Sequence, residues 1–100
     1  MSPVSIQSFA DAAAESFFET GRVGKGVGWA SVSTIVNRKL DMLDYAAKLI
    51  DLRSPPGNRL EALVGDLAGF YSIRVNDQWR VVFKWTDAGP SEIHVVDYHR

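Results

Sequence analysis

Residues 71–85 carry the clearest structural signal in the chain: Tyr71-Ser72-Ile73-Arg74-Val75-Asn76-Asp77-Gln78-Trp79-Arg80-Val81-Val82-Phe83-Lys84-Trp85. On both sides of the central Asn-Asp-Gln, apolar side chains recur at every second position, a period that predicts β-strands. These side chains, from Tyr71 to Trp85, share one face of the two strands because successive residues of a strand point to opposite faces. We therefore expect a hairpin with one buried apolar face and one face that carries cations.

The length of the turn decides whether those cations meet. A two-residue loop at Asn76–Asp77 would place Arg80 opposite Ile73 and mix charged with apolar side chains on one face. A three-residue loop over Asn76–Gln78 keeps the two faces separate. It also places Arg74 directly opposite Arg80, so we expect this register.

Two opposed arginines admit two interpretations. Like charges in opposed positions cost a few tenths of a kcal/mol to about 1 kcal/mol, and two guanidinium groups on one surface match the oxygens of a phosphate. Alternatively, both lie in water and are balanced by Asp66, Glu61 or Asp97. The pattern alone leaves both interpretations open.

Length and composition limit the class of protein. One hundred residues suit a single domain over residues 1–100, and the absence of cysteine leaves no disulfide, no thiol nucleophile and no thiolate metal site. With a formal charge of −1, the chain lacks the overall positive charge of a strong nucleic-acid binder. Any contact with a polyanion must therefore be local. Residues 1–6 show neither a basic region nor a long apolar run, so we expect a cytoplasmic protein with no membrane partner.

The rest of the chain predicts two helices and further strands. We expect a short strand at Val4–Ile6, a helix from Phe9 to Thr20 that stops at Gly21, and a second helix from Ser31 or Ser33 to about Leu49. The glycine-containing segment 21–30 lacks the pattern of a phosphate loop. The apolar stripe of the second helix comprises Val36, Leu40, Leu43, Ala47 and Ile50, and its solvated face comprises Arg38, Lys39, Asp41, Asp44 and Lys48.

Strands also complete the chain. After a break at residues 51–58, Arg59–Leu63 alternates as a short strand, and a last β-patterned segment begins at Ile93. The order predicts an α+β fold, with two N-terminal helices packed on one face of an antiparallel sheet of four or five strands.

Most chemistries lack a matching motif. The two histidines, His94 and His99, have no spacing that favours a metal site, and no serine lies in a nucleophile elbow. Acid-base cleavage of RNA needs neither a metal ion nor a protein nucleophile, because RNA supplies its own 2′-hydroxyl nucleophile. Arginines would stabilise the phosphorane charge, and Asp97, Tyr98 and His99 are possible proton carriers. Alternation places Tyr98 on the arginine face, although it could instead cap a sheet edge, and His99 could be a solvated tail residue.

An ordered series of residues resembles the RelE/HigB superfamily of toxins, most closely its HigB-type, plasmid-maintenance "killer" branch. The series covers nearly the whole chain and comprises Ser8–Asp11, Phe17-Phe18, Thr20-Gly21, Leu40–Asp44, Pro55–Asn58, Arg59–Asp66, Gly69, Tyr71–Val81, Phe83, Trp85 and Val96–His99. The resemblance implies a type II toxin that cuts translated mRNA in the ribosomal A site without a metal or other cofactor. It also implies a small helix-turn-helix antitoxin of the HigA kind, through which contact with operator DNA would be indirect.

The resemblance also suggests roles for individual residues. By position, Arg80 matches the arginine held to stabilise transition-state charge, and Asp97, Tyr98 and His99 match the terminal catalytic group. Glu61 is a weaker candidate base, at a position where some relatives have histidine. Candidate RNA contacts are Arg74, Lys84 and Arg59.

One departure from the family pattern motivates a second hypothesis. The family's common Leu-Lys-Gly-Asp is here Leu63-Val64-Gly65-Asp66, so a lysine that would contact RNA is missing. The chain could then be a weakened homologue that binds an antitoxin and modulates its operator binding. The residue pattern by itself also permits a small structural domain whose arginines only decorate the surface.

Overall fold

The computed structural model describes residues 4–98. It contains two α-helices, α1 (Ala12–Thr20) and α2 (Ser33–Tyr45), and four strands, β1 (Glu61–Ala62), β2 (Phe70–Arg74), β3 (Trp79–Thr86) and β4 (Gly89–Asp97). The strands form one antiparallel sheet in the order β1-β2-β3-β4. The predicted α+β fold with two helices and a four-stranded antiparallel sheet is confirmed.

The predicted register of the central hairpin is also confirmed. Ile73 pairs with Val81 and Arg74 with Arg80, and the backbone N–H of Val75 donates to the carbonyl of Trp79 at 2.9 Å. The carboxamide oxygen of Asn76 accepts from the backbone N–H groups of residues 78 and 79, at 2.9 and 2.7 Å. This side-chain cap stabilises the turn because it satisfies two backbone donors that the strands leave over.

One apolar cluster joins the helices to the sheet. Its helical members include Ala14, Phe17, Val36, Leu40 and Leu43, and its members from the sheet and the β2–β3 turn include Ile73, Val75, Val81, Phe83, Ile93 and Val95. The sheet members of β2 and β3 alternate with the arginine positions, so the cluster lies on the face opposite the arginines. No helix in the described part of the chain is both long and apolar enough to cross a membrane.

The strand predicted at Val4–Ile6 is wrong. This segment runs beside β4, where its hydrogen bonds include those from Ser5 N to Ala88 O and from Gln7 N to Pro90 O, but it forms no regular strand. The reason lies in β4, because Pro90 has no N–H to donate and Glu92 has a left-handed φ of 50° that interrupts the extended edge. That strand begins at Gly89, earlier than the expected Ile93.

Both helices are shorter than predicted. α1 begins after Asp11, which caps it, because Phe9 and the N–H of Ala10 are instead engaged with Ile93; the stop at Gly21 is confirmed. α2 ends at Tyr45, since the N–H groups of residues 47 and 48 donate to Asp51 outside the helix. Ala47 and Ile50 therefore lie outside the core, against prediction, and Ile50 is 60% exposed.

Lys39 was predicted on the solvated face of α2, and this prediction is wrong. Its side chain is buried, and its ammonium group donates to the carboxamide oxygen of the fully buried Asn58 at 2.6 Å. A polar partner from a distant loop makes the burial of the lysine tolerable. Periodicity along one helix carries no information about such a partner.

Asp11 links α1 to the sheet, which makes it a test of the fold. One carboxylate oxygen accepts from the N–H groups of Ala13 and Ala14, and the other accepts from Val95 N of β4 at 3.2 Å. We expect Asp11→Ala to lower the free energy of unfolding by about 1–2 kcal/mol, the usual effect of a lost N-cap. Denaturant titration measures this loss. Asp41→Ala, at an exposed position, is the control. Equal losses in both variants would contradict the capping role of Asp11.

Candidate active site

A cavity of about 580 Å³ opens on the arginine face of the sheet. Its walls come from the segment before and within β1, from the β2–β3 hairpin and from the residue that follows β4. The lining residues are Arg59, Leu60, Glu61, Arg74, Asn76, Asp77, Arg80 and Tyr98. The structure thus brings together five of the predicted site residues, from segments that are well separated in the chain.

Arg80 is the most enclosed of the charged residues in this cavity. Only 5% of it is exposed, and its Nη2 donates to the backbone carbonyl of Arg59 at 2.6 Å. Its Nη1 lies 3.5 Å from the Glu61 carboxylate, and its Cζ lies 5.2 Å from the ring centre of Tyr98. A carbonyl, a carboxylate and an aromatic ring together hold the guanidinium in one orientation.

Tyr98 and Glu61 meet beside that guanidinium. The phenol donates to the Glu61 carboxylate at 3.2 Å, and the backbone N–H of Tyr98 donates to Gln78 O at 2.6 Å, which holds the chain after β4 against the hairpin. As predicted from the alternation of the last strand, Tyr98 lies on the arginine face. A phenol in contact with a carboxylate and a guanidinium can pass a proton while the cation stabilises negative charge.

Arg74 has a different environment. A third of its side chain is exposed, and it pairs with the fully exposed carboxylate of Asp77 within the turn. An ion pair in water contributes little free energy, so this guanidinium can exchange its partner. The charges in the lining are three arginines and two carboxylates, which gives a local excess of one positive charge in a chain whose formal net charge is −1.

A further basic residue, Lys39, is buried outside the cavity lining. Burial lowers the pKa of Lys39 below its ordinary value of 10.5, and the positive charges of Arg38 and Arg74 lower it further. The fold therefore disfavours the charged form of this lysine, and its hydrogen bond to Asn58 offsets part of that cost.

The remaining predicted residues lie elsewhere or outside the described part of the chain. Asp97 does not line the cavity, and its carboxylate accepts from Gln78 Nε2 at 3.1 Å. Lys84 lies 3.3 Å from Glu92 and 5.0 Å from the ring centre of Phe70, away from the cavity lining. His99 is outside residues 4–98. Within those residues, no three histidine, aspartate or glutamate side chains cluster as metal ligands.

The sequence did not predict the loop conformation at Asn58 and Arg59 that positions Arg80. Asn58 is fully buried, and Arg59 adopts a left-handed conformation, with φ 46° and ψ 54°, that aims its carbonyl at Arg80. The Pro-Pro-Gly-Asn sequence signals a turn, but a turn asparagine is usually exposed. Nothing in the local pattern distinguishes this buried asparagine from an ordinary one.

Comparison with known proteins gives a consistent family. A family model described as the RelE-like toxin of the type II toxin-antitoxin system HigB matches residues 7–99. Toxin HigB-1 of Vibrio cholerae is 44% identical over 79 residues, which are 79% of this chain and 82% of that protein. Endoribonuclease HigB of Proteus vulgaris is 32% identical over 94 residues, which are 94% of this chain and 99% of that protein.

Solved structures agree on the fold. The YoeB dimer from Staphylococcus aureus aligns with a TM-score of 0.57 at 21% identity, over 99% of this chain and all of that one. YoeB in its complex with YefM, from the same organism, aligns with a TM-score of 0.54 at 18% identity, with the same coverage. At these identities the likeness concerns the fold alone.

The lowered pKa of Lys39 predicts a measurable pH dependence of stability. Between its folded value and 10.5, the unfolded chain binds one more proton at this lysine than the folded chain. The free energy of unfolding of the wild type should therefore rise, relative to that of Lys39→Met, as pH approaches 10.5, with a slope of at most about 1.4 kcal/mol per pH unit. Denaturant titrations across this range measure the difference. Parallel curves for the two proteins would contradict the shift, and Lys25→Met, at an exposed position outside the helices, is the control.

Proposed function

The chain belongs to the HigB-like family of RelE-like toxins from type II toxin-antitoxin systems, and from this premise we propose that it is an endoribonuclease that cuts mRNA. We infer further that it cuts translated mRNA at the ribosome, by general acid-base catalysis without a metal ion. One observation carries the proposal: a buried guanidinium contacts both a carboxylate and a phenol in an open cavity. These groups belong to Arg80, Glu61 and Tyr98.

The proposed reaction uses the RNA's own nucleophile. Glu61 accepts the proton of a 2′-hydroxyl, directly or through the phenol of Tyr98, and the 2′-oxygen attacks the adjacent phosphorus. The bond from phosphorus to the 5′-oxygen then breaks, and the returned proton neutralises this leaving oxygen. Arg80 stabilises the charge of the phosphorane because its guanidinium is already fixed at the cavity wall and needs no reorganisation.

Other cations would hold the RNA. Arg74 and Arg59 line the same cavity, and Arg74 can exchange Asp77 for a phosphate at small cost. Lys84 lies beyond this cavity, where it would contact a phosphate further along the strand. Two residues near the end of the chain complete the proposal: Asp97 would help to orient the terminal group, and His99 would share in proton transfer.

The family also supports a set of partners. A toxin of a type II toxin-antitoxin system has an antitoxin as its partner. We infer that this partner is a small helix-turn-helix protein of the HigA kind. Contact with operator DNA would then run through that antitoxin. The ribosome and its mRNA are the proposed targets, and we propose a cytoplasmic location on the same grounds.

One structural observation favours the second candidate, an antitoxin-binding homologue with weakened cleavage. Val64 is 85% exposed and lines a cavity of about 300 Å³ that shares Glu61 and Tyr98 with the first cavity. The family's common lysine would stand at this position, beside the proposed acid-base pair. With valine at this position, one contact to the RNA strand beside this pair is lost.

Loss of Arg80 should strongly reduce the proposed activity. We expect Arg80→Ala to slow mRNA cleavage by about a hundredfold to a thousandfold, as for other fixed donors to a developing anion. Induction of the wild type in bacteria that lack an antitoxin should arrest growth, and sequencing of mRNA 5′ ends should show new cleavage sites. Cells that express Arg80→Ala should grow normally.

Two controls accompany this experiment. Arg22→Ala removes an exposed arginine away from the cavity and should be as toxic as the wild type. Thermal unfolding of the purified variants shows whether Arg80→Ala is folded. Normal growth and intact messages with the wild type would refute the cleavage proposal, whereas a fully toxic Arg80→Ala would refute only the role of this arginine.

A lysine at position 64 should strengthen the activity. We expect Val64→Lys to raise the rate of cleavage several-fold, mainly through tighter RNA binding, because one more phosphate contact is gained. The gain should shrink at high salt. Val64→Gln is the uncharged control, and an equal gain in both variants would contradict an electrostatic role for this position.

A further inference from the structure

Asn58 holds the loop in front of β1 through its carboxamide. It is the only buried residue of the turn Pro56–Asn58, and its amide nitrogen donates to the carbonyls of Leu52 and Ser54, at 3.1 and 3.3 Å. Its oxygen accepts from Lys39 Nζ of α2 at 2.6 Å. Because no apolar side chain of the turn is buried, these polar contacts fix where the loop lies.

The next residue transmits this position to the cavity. Arg59 has a left-handed backbone conformation, which costs a residue other than glycine about 1 kcal/mol or more and persists only where the surroundings enforce it. The enforcing contacts lie on both sides, at Asn58 and at Arg80, whose Nη2 donates to the Arg59 carbonyl at 2.6 Å. A shift of Asn58 would therefore move the carbonyl that orients the Arg80 guanidinium.

We propose that Lys39 and Asn58 are positioning residues of the active site, which hold the Arg80 guanidinium in place through the backbone of Arg59. Neither side chain lines the cavity. The contact explains why α2 has a lysine in a buried position, where an apolar residue of the same length would avoid the cost of desolvating a charge.

The kinetic test of this inference rests on the proposed function. Lys39→Met keeps the length of the side chain and removes the donor to Asn58. Because a displacement of about 1 Å at a reacting group can cost about a hundredfold in rate, we expect kcat for cleavage to fall at least about tenfold, with KM nearly unchanged. Lys39→Arg retains a donor and should restore most of the rate. Arg38→Met removes a neighbouring exposed charge and should leave the rate unchanged.

A second mutation separates positioning from a general loss of structure. In an Arg80→Lys background the planar guanidinium is absent, so Lys39→Met should cause no further loss of kcat. Equal fractional losses in both backgrounds would overturn the proposal. Should Lys39→Met fail to fold, Asn58→Asp is the alternative, since it keeps an acceptor for Lys39 but removes both amide donors; the same dependence on Arg80 is expected.

A readout without RNA tests the inference independently of cleavage. Nitrogen-15 NMR of the guanidinium groups, with the Arg80 signal assigned by its loss in Arg80→Lys, reports how fast these protons exchange with water. We expect exchange at Arg80 to accelerate about tenfold in Lys39→Met and to stay unchanged in Arg38→Met. If the wild type cuts no RNA, the proposed function fails, yet this measurement still decides: unchanged exchange in Lys39→Met overturns the positioning role, and accelerated exchange supports it.

Discussion

The three-residue turn between β2 and β3 fixes the register on which the cavity depends. Because side chains alternate between the two faces of a strand, a shift of one residue would move Arg80 to the apolar side and Val81 into the cavity. Asn76 opposes such a shift, since its side chain satisfies the N–H groups of Gln78 and Trp79 in this register. The apolar cluster on the other face opposes it as well, because Val81 is fully buried there.

Burial of a guanidinium is the second constraint, and it shapes the loop in front of β1. A charge withdrawn from water must recover its solvation from fixed groups. The neutral carbonyl of Arg59 satisfies one donor without cancelling the charge, and the Glu61 carboxylate and the ring of Tyr98 lie beside the same guanidinium. The left-handed turn at Arg59 thus serves the site, and its strain is offset by the hydrogen bond that it makes possible.

The sequence predicted those features that follow from short periods and turn chemistry. Alternation over residues 71–85 specified the hairpin, its register and the pairing of Arg74 with Arg80. It did not predict the burial of Lys39, the early end of α2 or the irregular segment beside β4. The burial of Lys39 depends on Asn58 and the irregular segment depends on residues around Pro90, both remote in the chain. The early end of α2 depends instead on the nearby side chain of Asp51, which lies outside the helix. Helical periodicity describes one element alone, so a polar contact between elements leaves no trace in it.

The two opposed arginines divide the proposed work between them. Arg74 forms an exposed pair with Asp77, and a phosphate can replace that carboxylate because the pair gains little in water. The guanidinium of Arg80 is buried and donates to the Arg59 carbonyl, so it cannot move to meet a substrate. A mobile cation is suited to binding the RNA substrate in its ground state. A fixed cation instead stabilises the negative charge that develops on the phosphate only in the transition state. The two opposed guanidinium groups repel each other, and binding of a phosphate anion between them would relieve that repulsion.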